Sequence, residues 1–356
     1  MPCCTHPWKP FEATPYTGTG IGCPISPPSR SRALLSGQNR VIRVAEGDHR
    51  DSFRAMPSRD TGDVRIALPP DFDFDWVLGF LAARTVLSLE TVRERAYHRS
   101  VRVNGKPVTL TLTEVAVGGD RGQRVLVARS RPRLQPAALE EAVRRMLDLD
   151  VDLGRFHRLA RRDAILASIV RRRSGIRLPQ LLDPFEGLTR AILGQQVSVA
   201  GASTITDRLV RLFSRRAPGA GQTGFLAFPT PADVAEAGAD RLRGLGLTRT
   251  RAATLAGAAR RIAEGVLDLE RLRSVPADEA QAALEELPGV GPWTASYVRM
   301  RALGDRDGFP SADLGVIKAM QAAGIARQSI LEVADRWRPW RGYATLHLWA
   351  SAADGR

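Results

Sequence analysis

Hydrophobic and polar residues follow two different patterns along the chain. In residues 100–103, 108–112 and 124–128 apolar and polar positions alternate, which predicts short strands with one face in water. Asn104 and Gly105 stand between the first two of these segments and supply the chemistry of a hairpin turn. Together with a helix predicted at 74–85, these strands indicate a small α+β region that ends near residue 140.

After Pro136 the spacing of apolar residues becomes helical almost throughout. Four of the predicted helix starts carry good capping residues, namely Asp183, Thr230, Thr248 and Asp313. The predicted helices cover residues 137–149, 163–174, 185–213, 231–237, 239–245, 248–264, 278–286, 292–303, 314–323, 328–337 and 342–352. The sequence therefore predicts an α+β protein in which a small sheet domain precedes a larger helical region.

Residues 1–62 show neither the alternation typical of strands nor the spacing typical of helices, and they are rich in Pro, Gly, Ser, Thr and Arg. This composition predicts a disordered extension. A zinc site built from Cys3, Cys4, His6 and Cys23 is disfavoured, because adjacent cysteines followed by a long gap match no standard zinc-finger spacing.

The chain of 356 residues is strongly basic, with a formal charge of +14 and a pI of about 10.9. Nearly all of its 52 basic residues are arginine, whose planar fork suits phosphate oxygens. A nucleic-acid partner would explain this charge, although an arginine-rich composition can also reflect genome composition. The three cysteines fall within the first 25 residues, so we expect a reducing, cytoplasmic compartment, and a nucleic-acid partner would imply association with the nucleoid. No uninterrupted apolar run approaches membrane-spanning length, so we expect no contact with a membrane.

The segment 287–297 contains the most informative local motif. Gly289 and Gly291 bracket a single apolar residue, and Pro292 follows at what would be the first position of a helix. Glycine lets a backbone turn sharply and approach a partner closely, so we expect a hairpin whose amides bind an anion such as a DNA phosphate. The alternative is a tight interhelical turn without a ligand.

Six blocks, spread over residues 69–350, carry a family resemblance. They are residues 74–84, 185–198, 228–231, 287–297, 309–313 and 338–349. In this order they resemble the alkylation-repair glycosylases of the helix-hairpin-helix superfamily of DNA glycosylases. The resemblance implies an antiparallel-sheet domain followed by a two-part all-α core. The predicted domains are 63–140, then 183–301 with the hairpin, and 141–182 together with 302–356.

The resemblance also assigns candidate site residues. Asp313, which follows Trp293 by 20 residues, would be the catalytic carboxylate; its alternative role is that of a helix cap. Gln196 would enter the duplex and fill the gap left by a flipped nucleotide, or it is an ordinary surface residue. The implied base pocket is aromatic, which suits cationic bases, although aromatic residues at helical spacing are commonly core; its members are Trp293, Tyr297, Trp349, Phe80 and Arg84.

The hairpin receives a DNA-binding role by the same resemblance. Gly289, Gly291 and Thr294 would donate backbone N–H groups to a phosphate. The carbonyls of Leu287 and Val290 would hold a monovalent cation, sodium or potassium, when DNA is bound; no other cofactor is expected.

Two positions refine the expected chemistry. Strand-cutting members of the superfamily have a lysine that forms a Schiff base where this chain has Trp293, so we expect a monofunctional hydrolase without lyase activity. Leu314 occupies a position where a tyrosine is found in the family, which leaves substrate preference open. His347 lies among apolar residues, so a structural role is expected for it.

The expected function is excision of alkylated bases, of the 3-methyladenine and 7-methylguanine type, from double-stranded DNA in base excision repair. Two alternatives stay open. The first is a glycosylase for another damaged base, and the second is a non-catalytic DNA-binding protein, against which Asp313 argues. We expect a monomer.

Overall fold

The computed structural model describes residues 63–117, 123–218 and 224–354. The predicted fold class is confirmed, since a five-stranded antiparallel sheet comes first and helices follow. The extension predicted at 1–62, with Cys3, Cys4, His6 and Cys23, lies outside the described residues. Across the described ranges, no helix combines the length and the apolar character needed to cross a bilayer.

The sheet has the strand order β1-β5-β4-β3-β2, and all neighbours are antiparallel. Its strands are β1 (Val64–Ala67), β2 (Glu90–Arg93), β3 (Ala96–Val103), β4 (Lys106–Val117) and β5 (Gln123–Arg131). The predicted turn at Asn104 and Gly105 joins β3 to β4, and both residues have positive φ, 49° and 73°, as a two-residue hairpin of this type requires. The strands β1 and β2, each four residues long, were not predicted.

Thirteen helices follow or flank the sheet in the described ranges. They are α1 (Phe74–Ala82), α2 (Pro136–Leu147), α3 (Gly154–Arg162), α4 (Leu166–Arg172), α5 (Pro184–Leu193), α6 (Val199–Phe213), α7 (Pro231–Arg243), α8 (Arg249–Ala263), α9 (Ala277–Glu285), α10 (Pro292–Val298), α11 (Leu314–Ala322), α12 (Ile330–Asp335) and α13 (Arg341–Asp354). The four predicted caps are confirmed, since each side chain accepts a backbone N–H at the start of its helix.

One helix prediction was wrong and one helix was missed, whereas the break predicted between 231–237 and 239–245 is confirmed by the non-helical Gly238 (φ 68°) inside α7. The single helix predicted at 185–213 is two helices, because the backbone turns left-handed at Gln196 (φ 58°) and the Ser198 hydroxyl caps a new start at Gly201 N (3.1 Å). Helix α3 was missed; its cap position is held by the apolar Leu153, and the capping oxygen comes from Asp152, whose Oδ1 accepts from Gly154 N at 2.8 Å.

The helical region contains two apolar cores. One core joins the sheet to α1–α4 and α11–α13, and the other is formed by α5–α10. Helix α10 continues into a π-helical turn at Arg299–Leu303, in which Met300 belongs to the first core and Leu303 to the second. The domain boundaries inferred from the sequence stay a prediction.

A buried ionic network ties the sheet to α5. Arg99 of β3 pairs with Glu186 of α5 at 2.7 Å, and Arg190 of α5 pairs with Glu90 of β2 at 2.7 Å. Arg99 and Glu186 are each only 1% exposed. Burial alone would lower the pKa of Arg99, but the neighbouring Glu186 carboxylate raises it above its usual value. The network therefore holds full charges in the interior through mutual pairing.

Candidate active site

The hairpin between α9 and α10 has the predicted tight turn. Gly289 has φ +86°, and a Cβ there would lie 2.0 Å from the Thr254 hydroxyl of α8. The turn is closed by a hydrogen bond from Val290 N to the Leu287 carbonyl (2.9 Å), and Gly291 caps α10 with extended backbone. Only glycine satisfies both the backbone angle and the space at position 289.

A glutamine not singled out by sequence reasoning holds this hairpin. The side-chain amide of Gln195 donates to the Gly289 carbonyl at 2.9 Å and to the Thr294 hydroxyl at 3.0 Å. Arg251 in turn donates to the carbonyl of Gln195 at 3.3 Å. The adjacent Gln196 is exposed. The two glutamines look alike in sequence, so only the folded backbone separates the one that binds the hairpin from the one that faces solvent.

Asp313 is the N-cap of α11 and is half-buried. Its Oδ1 atom accepts hydrogen bonds from Gly315 N (2.8 Å), from Val316 N (3.2 Å) and from Trp349 Nε1 (2.8 Å). Among the described residues, no hydrogen bond reaches Oδ2. The carboxylate is thus fixed through one oxygen, while the other keeps its acceptor capacity.

Gly315 makes the bond between Asp313 and Trp349 sterically feasible. A Cβ at this position would lie 2.8 Å from Trp349 Cδ1 and 3.0 Å from Asp313 Oδ1. Any larger side chain would therefore push the indole away from the carboxylate.

The predicted aromatic residues form one run of ring contacts beside Asp313. Trp349 of α13 stacks on Phe80 of α1 (centroids 6.3 Å apart) and meets Tyr297 of α10 at 6.3 Å. Tyr297 in turn stacks on Trp293 at 5.6 Å. Trp76, which sequence reasoning did not single out, extends the run by stacking on Phe80 at 5.1 Å. Three distant segments of the chain thus meet around one carboxylate.

Two arginines cover Phe80. The Arg84 guanidinium lies 3.7 Å from the ring centroid and also donates to the Phe80 carbonyl (3.2 Å). Arg301, missed in the sequence, lies 4.7 Å from the same centroid. Burial, together with the positive charge of Arg301, lowers the pKa of Arg84 to about 10, while Tyr297 and Asp313 act in the opposite direction. Arg84 therefore remains charged at neutral pH.

His347 and Leu314 take no part in this cluster. His347 is buried against Phe156 (centroids 5.4 Å apart), and neither ring nitrogen has a hydrogen bond within the described part of the chain. Burial, with a smaller effect of His157, lowers its pKa to about 3, so the ring is neutral at pH 7. Leu314 is 70% exposed beside Asp313.

A cavity of about 580 Å³ lies elsewhere, between α2 and the end of the π-helical turn. It contains none of the predicted site residues, and its charged groups largely pair with each other, as in Arg306–Asp148 (2.6 Å) and Arg144–Glu140 (2.8 Å). The aromatic cluster places the Asp313 carboxylate beside apolar rings, so it is the stronger candidate for the active site.

Comparisons with known proteins agree on one family. Residues 63–183 match the model of the AlkA N-terminal domain, and residues 189–340 match that of the HhH-GPD superfamily base excision DNA repair protein. DNA-3-methyladenine glycosylase 2 of Escherichia coli (strain K12) is 35% identical over 285 residues, which is 79% of this chain and 94% of that protein. DNA-3-methyladenine glycosylase of Bacillus subtilis (strain 168) is 28% identical over 294 residues, 80% of this chain and 96% of that one.

A solved structure extends the likeness to the fold. The 3-methyladenine DNA-glycosylase from Archaeoglobus fulgidus superposes with a TM-score of 0.69 over 82% of this chain and 98% of that one, at 23% identity. This chain thus covers almost the full length of these proteins, between 94% and 98%. The chain belongs to the DNA-3-methyladenine glycosylase 2 family, within the HhH-GPD superfamily of base excision DNA repair proteins.

Proposed function

We propose that the protein is a monofunctional DNA glycosylase that flips alkylated bases out of duplex DNA and hydrolyses their bond to the sugar. The observation that carries this proposal is the state of Asp313. One of its oxygens is held by three donors, one of them Trp349 of the aromatic cluster, and the other oxygen has no hydrogen bond from the described residues. A carboxylate held in this way can face a developing positive charge without rearranging.

DNA binding is assigned to the hairpin and to Gln196. Gly289, Gly291 and Thr294 would supply backbone N–H groups to one phosphate, where the start of α10 favours an anion. Gln196 projects from a left-handed backbone position and is exposed, so it would fill the duplex where the nucleotide leaves. Flipping costs a few kcal/mol, which phosphate contacts from the arginine-rich surface offset.

The base would lie against the aromatic cluster. Arg84 already occupies one face of Phe80 at 3.7 Å and lies 5.7 Å from the Trp349 centroid, and we assign the base to the rings of Trp349, Tyr297 and Trp293. These ring faces attract a cation, and alkylation at a ring nitrogen makes a purine cationic. Phe80 and Arg84 would form the back wall of this pocket.

The chemical step follows from the charges. The C1′–N bond breaks, its electron pair goes to the cationic base, and 3-methyladenine or 7-methylguanine leaves as a neutral molecule. Asp313 stabilises the oxocarbenium ion that forms at C1′ and orients the attacking water, whose proton passes to the carboxylate or to solvent. The products are a free base and an abasic site.

The direct test is incubation of the protein with methylated genomic DNA, followed by chromatography of the released bases. The expected result is release of 3-methyladenine and 7-methylguanine. If only oxidised or deaminated bases are released from suitably damaged DNA, the protein acts on another lesion. If no base is released while DNA is bound, the protein is a binding module and the proposed chemistry is wrong.

The absence of lyase activity is a separate prediction. Trp293 stands where a Schiff-base lysine would be needed, and an indole cannot attack a sugar carbon. After base release the strand should stay intact until alkali or heat is applied, as read on a denaturing gel with an alkali-treated aliquot as the control. A covalent protein–DNA complex trapped by borohydride would contradict this.

Gly315 supplies a third prediction. Gly315→Ala places a methyl group 2.8 Å from Trp349 Cδ1, so the indole must move and its bond to Asp313 weakens. Single-turnover base release should fall about 10- to 100-fold, a typical effect of misplacing a reacting group, while Tm shifts by only a few degrees. Gly257→Ala on α8, where a Cβ meets nothing within 4 Å, is the matched control.

The cation site is assigned to the hairpin carbonyls. The carbonyls of Leu287 and Val290 would hold a sodium or potassium ion that screens the DNA phosphate. The Gly289 carbonyl accepts from Gln195 and the Leu287 carbonyl accepts from Val290 N, whereas no hydrogen bond from the described residues reaches the Val290 carbonyl. The cation, the monomeric state and the cytoplasmic, nucleoid-associated location stay predictions.

A further inference from the structure

Helices α3 and α4 carry an unusual concentration of arginine. We use the name α3–α4 arginine surface for six exposed residues: Arg155, Arg158, Arg161, Arg162, Arg171 and Arg172. None of the six forms an ion pair or a side-chain hydrogen bond with another described residue. The single acidic residue between the two helices, Asp163, is occupied, since it accepts from Ile165 N (2.9 Å), Leu166 N (3.0 Å) and Trp337 Nε1 (2.9 Å).

The arginines of α3 share one face of the helix. Arg155, Arg158 and Arg162 are spaced three and four residues apart, which brings them to the same side at 3.6 residues per turn. Phe156 and Ala160, the buried residues of α3, lie on the other side. Like charges at these spacings repel each other, so the folded protein carries a local positive charge that an anionic partner would neutralise.

This surface lies behind the candidate active site. Phe156 packs against Tyr343 and His347 of α13, with ring centroids 5.5 Å and 5.4 Å apart. Trp349 follows His347 by two positions, which is roughly 200° around the helix axis. Helix α3 is therefore on the side of α13 opposite to Trp349, and its arginines point further away still. A duplex bound at Asp313 would therefore lie on the other side of α13 from these arginines.

We propose that the α3–α4 arginine surface binds a second segment of duplex DNA, distinct from the segment held at the hairpin. This inference rests on the proposed function for one point only, namely that the anionic partner is duplex DNA. Exposed, unpaired guanidinium groups that lie about one turn of α-helix apart can bind the phosphates of a DNA backbone. Such contacts do not depend on the base sequence. A protein that holds two segments can pass between them without dissociating.

The test is a bridging assay with the full chain and two short duplexes, one on beads and one fluorescent. Wild-type protein should retain the fluorescent duplex at low salt. The triple variant Arg155→Ala, Arg158→Ala and Arg162→Ala should weaken second-duplex binding at least about tenfold and lower its salt slope by about 2.7, since each phosphate contact contributes about 0.9. The charge-matched control Arg260→Ala, Arg327→Ala and Arg336→Ala, at exposed residues of other elements, should bridge within about twofold of wild type.

Several results would overturn the second site. They are equal bridging by the two triple variants, bridging only by protein dimers in sedimentation, and displacement of the second duplex by polyglutamate at equal charge, which would indicate an acidic protein as the partner. Wild-type protein that releases methylated bases without bridging refutes this proposal alone. Wild-type protein that bridges without releasing bases refutes the proposed function alone.

Discussion

Asp313→Asn should bind duplex DNA as wild type does and release alkylated bases at least about 100-fold more slowly. Asparagine keeps an oxygen that can accept the bonds now made by Gly315 N, Val316 N and Trp349 Nε1, and it caps helices about as well as aspartate. What is lost is the negative charge that we propose lies opposite C1′, and losing a single electrostatic contact of this kind costs a factor of about 10²–10³ in other enzymes.

The measurement is single-turnover release of 3-methyladenine, with duplex affinity and Tm recorded on the same samples. Asp268→Asn is a matched control, because the Asp268 side chain also accepts two backbone N–H groups, at 3.0 Å each, and is exposed. It should leave base release unchanged. An Asp313→Asn protein that releases bases at close to the wild-type rate would show that the carboxylate serves only as a helix cap.

Glu186→Ala should lower the free energy of unfolding by about 3–5 kcal/mol, the usual effect of removing one member of a buried ion pair. Arg99 would keep its charge in an interior where it is 1% exposed and would lose both hydrogen bonds to the Glu186 carboxylate, at 2.7 and 2.9 Å. Arg190 would lose a carboxylate 2.7 Å away as well. The pair between Arg190 and Glu90, at 2.7 Å, would remain as an ionic link between α5 and the sheet.

Urea unfolding followed by tryptophan fluorescence measures this loss. Glu332→Ala, at an exposed position of α12, should change stability by less than about 0.5 kcal/mol. Glu186→Gln keeps the shape and a hydrogen-bonding oxygen, so it should fold even if Glu186→Ala does not. If Glu186→Ala unfolds within about 1 kcal/mol of wild type, the network contributes little to the fold.

Local signals explain most of what the sequence predicted correctly. The caps at Asp183 and Thr230, the turn at Asn104 and the hairpin at Gly289 each depend on residues within a few positions of each other, where the chemistry of backbone and side chain decides the outcome. The aromatic cluster was assembled from the resemblance, since nothing local indicates that Trp349 approaches Tyr297.

Features that depend on distant partners were missed. The network around Arg99 joins residues 87 positions apart, and Arg301 meets Phe80 across a still longer separation. The break at Gln196 interrupts a run that is apolar enough for one continuous helix, and strands β1 and β2 exist because longer neighbours pair with them. In each case contacts between distant parts of the chain decide the structure, and local preferences do not indicate them.

The bond between Gln195 and the hairpin has a mechanical consequence. Gln195 donates to Gly289 and Thr294, and the next residue is the one assigned to enter the duplex. A shift of Gln196 on entering a base stack would move Gln195 and, through its side chain, the hairpin amides proposed to bind the phosphate, and the reverse would hold equally. Insertion of Gln196 into the duplex and phosphate binding by the hairpin would then be coupled. Where intact DNA does not admit Gln196, phosphate binding would weaken and the protein would dissociate.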